Sequence, residues 1–100
     1  MIAVVILNWN GAEMLRRFLP SVVEHSHPLG EVIVADNGST DESLEILQQE
    51  FPEVRTLVLD RNYGFAEGYN EAFRRLEIIA PQRYEYYLLL NSCLLYTSDA

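Results

Sequence analysis

Along the chain, short runs of unbroken apolar residues alternate with stretches whose apolar positions recur every three or four residues. Residues 2–7 (IAVVIL) form a run rich in β-branched side chains, which suits a strand buried on both faces. Leu15, Phe18, Leu19 and Val22 then share one face of a helix expected to begin just after Gly11, with Asn10 and Glu13 as its capping box. Pro20 is expected to shorten or kink that helix. A second strand is predicted at 32–35. After it, Ser39 and Glu42 read as the capping pair of a helix that turns Leu44, Leu47 and Phe51 to one side. A third strand is predicted at 54–59. Asn62 and Gly64 mark a turn, and Phe65, Tyr69, Ala72, Phe73 and Leu76 make a third helical stripe that Pro81 ends. Residues 86–90 read as a fourth strand, with the leucines at 88–90 expected to be buried.

The predicted order is βαβαβαβ. Connections this short, each carrying one helix, favour right-handed crossovers and a Rossmann-like parallel sheet covered on both faces. Ligands of such sheets bind beyond the C-terminal ends of the strands. Those ends fall at 8–10, 36–41, 60–64 and 91–93, and the polar clusters of the sequence fall there too.

Composition narrows the chemistry. The chain has 100 residues, 49% of them hydrophobic, enough for a packed core and too many for disorder. A formal net charge of −8 argues against gripping nucleic acid or an anionic membrane surface. All seven basic side chains are arginine, so chemistry that needs a lysine ammonium, as in P-loop NTPases or Schiff-base enzymes, is excluded for these residues. A single cysteine, Cys93, forms no internal disulfide, and the chain is expected to be cytoplasmic. His25 and His27, before Pro28, have no third metal ligand near them in sequence.

Two α/β readings meet specific obstacles. A dinucleotide-binding domain needs a glycine-rich turn after its first strand, and here the turn reads Asn8-Trp9-Asn10-Gly11, with a bulky indole where backbone must approach a pyrophosphate. A phospho-receiver domain would match Asp60, but wants acidic residues after the first strand and a lysine later. A third reading rests on four segments. IAVVILNWNG at 2–11, EVIVADNGSTD at 31–41, NYGFAEGYN at 62–70 and YYLLLNS at 86–92 resemble, in order and spacing, the front half of family 2 glycosyltransferases of the GT-A fold, of the rhamnosyltransferase or cell-wall glycan type.

The resemblance implies transfer of a sugar from a nucleotide diphosphate donor, with a UDP- or dTDP-sugar expected, to an acceptor hydroxyl on a glycan or lipid-linked substrate, with inversion. It places Leu7, Asn8, Asn10 and Asp36 around the base and ribose, with Asn62, Gly64 and Asn91 lining the same pocket. A carboxylate suits the role of Asp36 because it accepts from a pyrimidine N3–H or a ribose hydroxyl. Asn37 stands where many relatives carry a second Asp. The family's Asp-x-Asp or Asn-x-Asp triplet holds Mg²⁺ or Mn²⁺. Here it reads Asn91-Ser92-Cys93, and a thiolate is a soft ligand poorly matched to a hard cation. No metal is therefore expected on this chain, and the catalytic base is expected beyond residue 100 of a longer parent, one that could sit at the inner face of the membrane. The incomplete nucleotide-sugar-binding part is expected at 1–92, and 93–100 are expected not to be native to the gene. An inactive chain, or a nucleotide-binding remnant without turnover, is the alternative reading. Asp41 is expected only to face a helix dipole, Asn10 to cap, and Trp9 to pack at the pocket wall.

Overall fold

A computed structural model describes residues 1–26, 28 and 30–91 of the chain. The elements are β1 (Ile2–Asn8), α1 (Ala12–Ser26), β2 (Gly30–Asp36), α2 (Ser43–Glu50), β3 (Arg55–Val58), α3 (Phe65–Ile79) and β4 (Tyr86–Asn91). The four strands form one parallel sheet in the order β3-β2-β1-β4. The expected βαβαβαβ α/β architecture is the observed one.

The unbroken apolar runs of β1 and β2 follow from their central place. Successive side chains of a strand point to opposite faces, so a strand covered on both sides must be apolar at every position. Val4, Ile6, Val32 and Val34 face one layer, packed with Leu15 and Leu19 of α1 and Ile46 and Leu47 of α2. Ala3, Val5, Leu7, Ile33 and Ala35 face the other, packed with Tyr69, Ala72 and Leu76 of α3. The register pairs Asn8 with Asp36 across β1 and β2, so the two strands deliver their last polar residues side by side.

Several local expectations are corrected. The helix α1 runs through Pro20 to Ser26; the proline lies on its exposed side, away from the core. His25 lies in the last turn of that helix, with Nδ1 2.8 Å from the Ser21 carbonyl oxygen. The helix α2 begins at Ser43 with no cap bond from the Glu42 side chain, so Ser39 and Glu42 do not form a capping box. Its buried positions are Ser43, Ile46 and Leu47, with Leu44 only half-buried. In α3, Phe65 is exposed and Gly68 takes its place on the buried face. Leu88 and Leu89 are 49% and 47% exposed, because among the described residues β4 is an edge strand of the sheet, paired with β1. His27, Cys93 and the tail at 93–100 lie outside the described residues.

A candidate nucleotide-binding edge

Because all four strands are parallel, their C-terminal ends share one edge of the sheet. The chain leaves β1 for β2 on one side, while the crossover from β3 through α3 lands β4 on the other side of β1. The strand order therefore reverses between β1 and β4, the place where open α/β sheets form a crevice.

Three loops are tied together at this edge. Asp36 is fully buried, and its carboxylate accepts from Asn8 Nδ2 at 3.0 Å, Ser39 Oγ at 2.7 Å and the Ser39 backbone N–H at 3.0 Å. Ser39 Oγ in turn accepts from the Asn10 backbone N–H at 2.9 Å and from Asn8 Nδ2 at 3.3 Å. A hydroxyl has one donor and two acceptor positions, and Ser39 uses all three. Ser39 is thus the hub of the first two loops, a role sequence reasoning missed by assigning it to a helix cap. The signal was the spacing: Asp followed three residues later by Ser suits a side-chain-closed turn as well as a cap.

Asn10 and Asp41 continue the same seam. Asn10 has φ of 49°, in the left-handed region that asparagine tolerates. Its Oδ1 accepts from the backbone N–H groups of Thr40 at 2.7 Å and Asp41 at 3.2 Å, so it serves the second loop rather than capping α1. The α1 cap is Asp41 instead, whose Oδ2 accepts from Ala12 N–H at 3.2 Å while Oδ1 accepts from Ser43 N–H at 2.9 Å. One carboxylate thus serves the first turns of both α1 and α2, more than the dipole partner expected of it. Burial opposes its ionisation, but hydrogen bonds from Ser43 and Ala12 more than offset that and hold its pKa below the usual range.

The third loop follows β3. Asn62 Oδ1 accepts from Gly64 N–H at 2.7 Å and closes the turn locally. Asn37, 3% exposed, reaches across from the end of β2 to the same turn. Gly38 has φ of 76°, and a Cβ there would stand 2.7 Å from the Asn62 backbone nitrogen, so only glycine lets the two loops approach. Beside the turn, the Tyr63 hydroxyl donates to Asp60 at 2.5 Å and Arg75 pairs with the same carboxylate. Those two partners hold the Asp60 pKa down to about 2. At the fourth strand end, Tyr69 OH accepts from Leu7 N–H at 3.4 Å and donates to Leu90 O at 2.7 Å, bridging β1 and β4 at their C-terminal ends.

The structure therefore brings Leu7, Asn8, Asn10, Asp36, Asn62 and Gly64 to one edge, with the backbone of Asn91 ending β4 at the same edge. They differ in access. Asp36 and Asn8 are buried beneath the loops, while Asn10, Asn62 and Gly64 are exposed. Trp9, between Asn8 and Asn10 in the first loop, is 55% exposed. Among the described residues, no three His, Cys, Asp or Glu side chains are grouped to hold a metal ion, and Ser92 and Cys93 of the triplet lie outside those residues. Nor, among them, is any helix long and apolar enough to cross a membrane.

The family comparison matches residues 3–77 to "Glycosyl transferase family 2". The chain is 33% identical over 73 residues to an N-acetylglucosaminyl-diphospho-decaprenol L-rhamnosyltransferase of Mycobacterium tuberculosis, covering 73% of this chain and 24% of that protein. Among solved structures, residues 1–349 of S. aureus TarS in complex with UDP superpose with a TM-score of 0.71 at 20% identity, over 98% of this chain and 31% of that one. A mannosyltransferase of Pyrobaculum calidifontis, in complex with GDP-Man and Mn²⁺, gives a TM-score of 0.60 at 23% identity, over 74% and 24%. The curated relatives share 31–33% identity, and the chain spans 23–32% of their lengths. On the family match and the parallel α/β sheet that carries it, this chain belongs to glycosyl transferase family 2.

Proposed function

We propose that the chain is the nucleotide-binding part of a glycosyltransferase that moves a sugar from a UDP- or dTDP-sugar to an acceptor hydroxyl. The observation that carries this reading is the bonded seam of three loops at the switch-point edge, each contributing a family motif. In the reaction, the acceptor oxygen forms a bond to the anomeric carbon from the face opposite the diphosphate. The bond to the diphosphate oxygen breaks, and the configuration inverts. The acceptor's proton needs a base. At this edge Asp36, Asp41 and Asp60 are all committed to hydrogen bonds or an ion pair, so none of the three takes that role. The acceptor is proposed to be a glycan or lipid-linked hydroxyl.

Asp36 has two tasks in this reading. It fixes Asn8 and Ser39, and of about four lone-pair positions on a carboxylate three are used, leaving one on Oδ2. That position accepts from a pyrimidine N3–H or a ribose hydroxyl once the covering loop shifts. Asn10, Asn62 and Gly64 supply the exposed wall of the same pocket.

The test is calorimetry with UDP on this chain and on Asp36→Asn, which keeps the shape and replaces one acceptor oxygen by a donor. UDP is expected to bind, and the substitution to weaken it tenfold or more; equal affinities would remove Asp36 from the site. A second reading, nucleotide binding without turnover, is favoured for the chain as it stands by the cysteine at 93, where the family places a hard-cation ligand. On that reading Mn²⁺ leaves UDP affinity unchanged, and a clear gain in affinity with Mn²⁺ would count against it.

A further inference from the structure

Charge pairing leaves one cation of the candidate edge unmatched. Arg16, Arg55, Arg74, Arg75 and Arg83 are each paired with a carboxylate. Arg17 lies over the Phe18 ring within α1. Arg61, in the loop after β3, is exposed, and among the described residues no carboxylate pairs with it. Its neighbour Asp60 is the nearest acid in sequence. That carboxylate accepts from the Tyr63 hydroxyl at 2.5 Å and pairs with Arg75 at 2.5 Å. Arg75, reaching from α3, thus takes the acid that would otherwise neutralise Arg61.

Two contacts hold Arg61 at the edge. Its backbone packs against the second loop, where a Cβ on Gly38 would stand 2.8 Å from the Arg61 carbonyl carbon and 3.1 Å from its Cα. Gly38 follows Asp36 closely in the chain, so the Arg61 side chain starts from the seam between the second and third loops. Its guanidinium lies over the Tyr63 ring, with Cζ 4.6 Å from the centroid. A stacked guanidinium uses its face on the ring and keeps its N–H donors in its own plane, where they remain open to acceptors.

We propose that Arg61 is a binding residue for the diphosphate of the nucleotide, its guanidinium donating to phosphate oxygens from its stack on Tyr63. This role rests on the nucleotide-binding reading above. A chain of net charge −8 without lysine repels an anion unless a local cation meets it. Asn10, Asp36, Asn62 and Gly64, which serve the base and ribose in that reading, carry no positive charge. Among the described residues of the edge, Arg61 is the unpaired cation. Its planar fork matches two phosphate oxygens at once, and the charge strengthens both hydrogen bonds.

The experiment uses the 100-residue chain, unsubstituted and as Arg61→Gln, with UDP, uridine and inorganic pyrophosphate as probes. In calorimetry, Arg61→Gln is expected to weaken UDP at least tenfold and uridine less than twofold, because uridine carries no phosphate. A loop disturbed by the substitution would weaken both by the same factor, and that result overturns the proposal. So does an unchanged UDP affinity. Amide exchange at Tyr63 and Gly64 is expected to be the same in both forms; lost protection in Arg61→Gln would assign the effect to the turn and overturn the role. By NMR, pyrophosphate is expected to shift the Arg61 Nε–H signal and to leave that of Arg16, paired with Glu50, in place. Equal shifts at the two arginines, or none at Arg61, overturn it as well. Should the unsubstituted chain bind neither UDP nor uridine, the nucleotide-binding reading falls, while the pyrophosphate titration still decides whether Arg61 takes a diphosphate.

Discussion

At the scale of single residues, Asn10 separates two contributions that are usually entangled. It occupies φ of 49°, and its carboxamide accepts from the N–H groups of Thr40 and Asp41. Asn10→Ala removes the acceptor and strains the backbone, with an expected loss of about 2 kcal/mol in unfolding free energy. Asn10→Gly removes the acceptor alone and is expected to cost about half that, as measured by urea midpoints. Equal losses would show that the left-handed backbone carries no strain. The amino-acid pattern marks Asn10 as a residue that satisfies backbone amides. It does not say which amides, because capping pairs are short-range patterns and the partners of Asn10 lie 30 residues away.

Elements show the same division. The strands β1 and β2 and the helices α1 and α3 follow from apolar periodicity, which depends only on the faces each must bury. The bridge between β1 and β4 does not. Tyr69 sits on the buried stripe of α3, where its ring alone accounts for its place, yet its hydroxyl also links Leu7 N–H to Leu90 O. Tyr69→Phe keeps the ring and leaves both backbone groups without that link. It is expected to cost about 1–3 kcal/mol and to raise exchange at the Leu7 amide selectively. Unchanged exchange at Leu7 would show that the strands close on each other directly. The start of α2 departs from its local pattern for a related reason: Ser39 has the right spacing from Glu42, but the buried Asp36 is the stronger partner for its hydroxyl.

For the molecule as a whole, the end of the sheet opposite the candidate site is held by charge. Glu31 of β2 accepts from Arg55 of β3 at 2.9 Å, and from Arg83 at 2.8 Å and Tyr84 at 2.5 Å between α3 and β4. Burial opposes its ionisation, but bonds from Tyr84, Arg83 and Arg55 outweigh that and lower its pKa from 4.5 to about 2. A carboxylate held below its unfolded value stabilises the fold fully above about pH 4.5, and that contribution is lost as pH falls toward 2. Glu31→Gln is therefore expected to cost about 1–2 kcal/mol at pH 7. The gap to the unsubstituted chain should narrow between pH 4.5 and 2 in urea titrations. A gap independent of pH would assign the effect to packing.

From the chain alone came the α/β class, the parallel order, the edge at which sheets of this class bind ligands and the family resemblance. All of these rest on periodicity, connection length and motif order, properties carried by neighbouring residues. Tertiary structure decided which polar residues of that edge face solvent and which are consumed in holding it. Asp36 and Asn8, candidates by sequence, are buried and bonded, while Ser39 and Asn37, not among those candidates, join the loops. The physical reason is that a hydrogen bond between these loops joins residues 25 to 31 apart in the chain, which only the register of the paired strands brings together. An asparagine or serine has the same donors and acceptors whichever partner it meets, so only the folded sheet selects one.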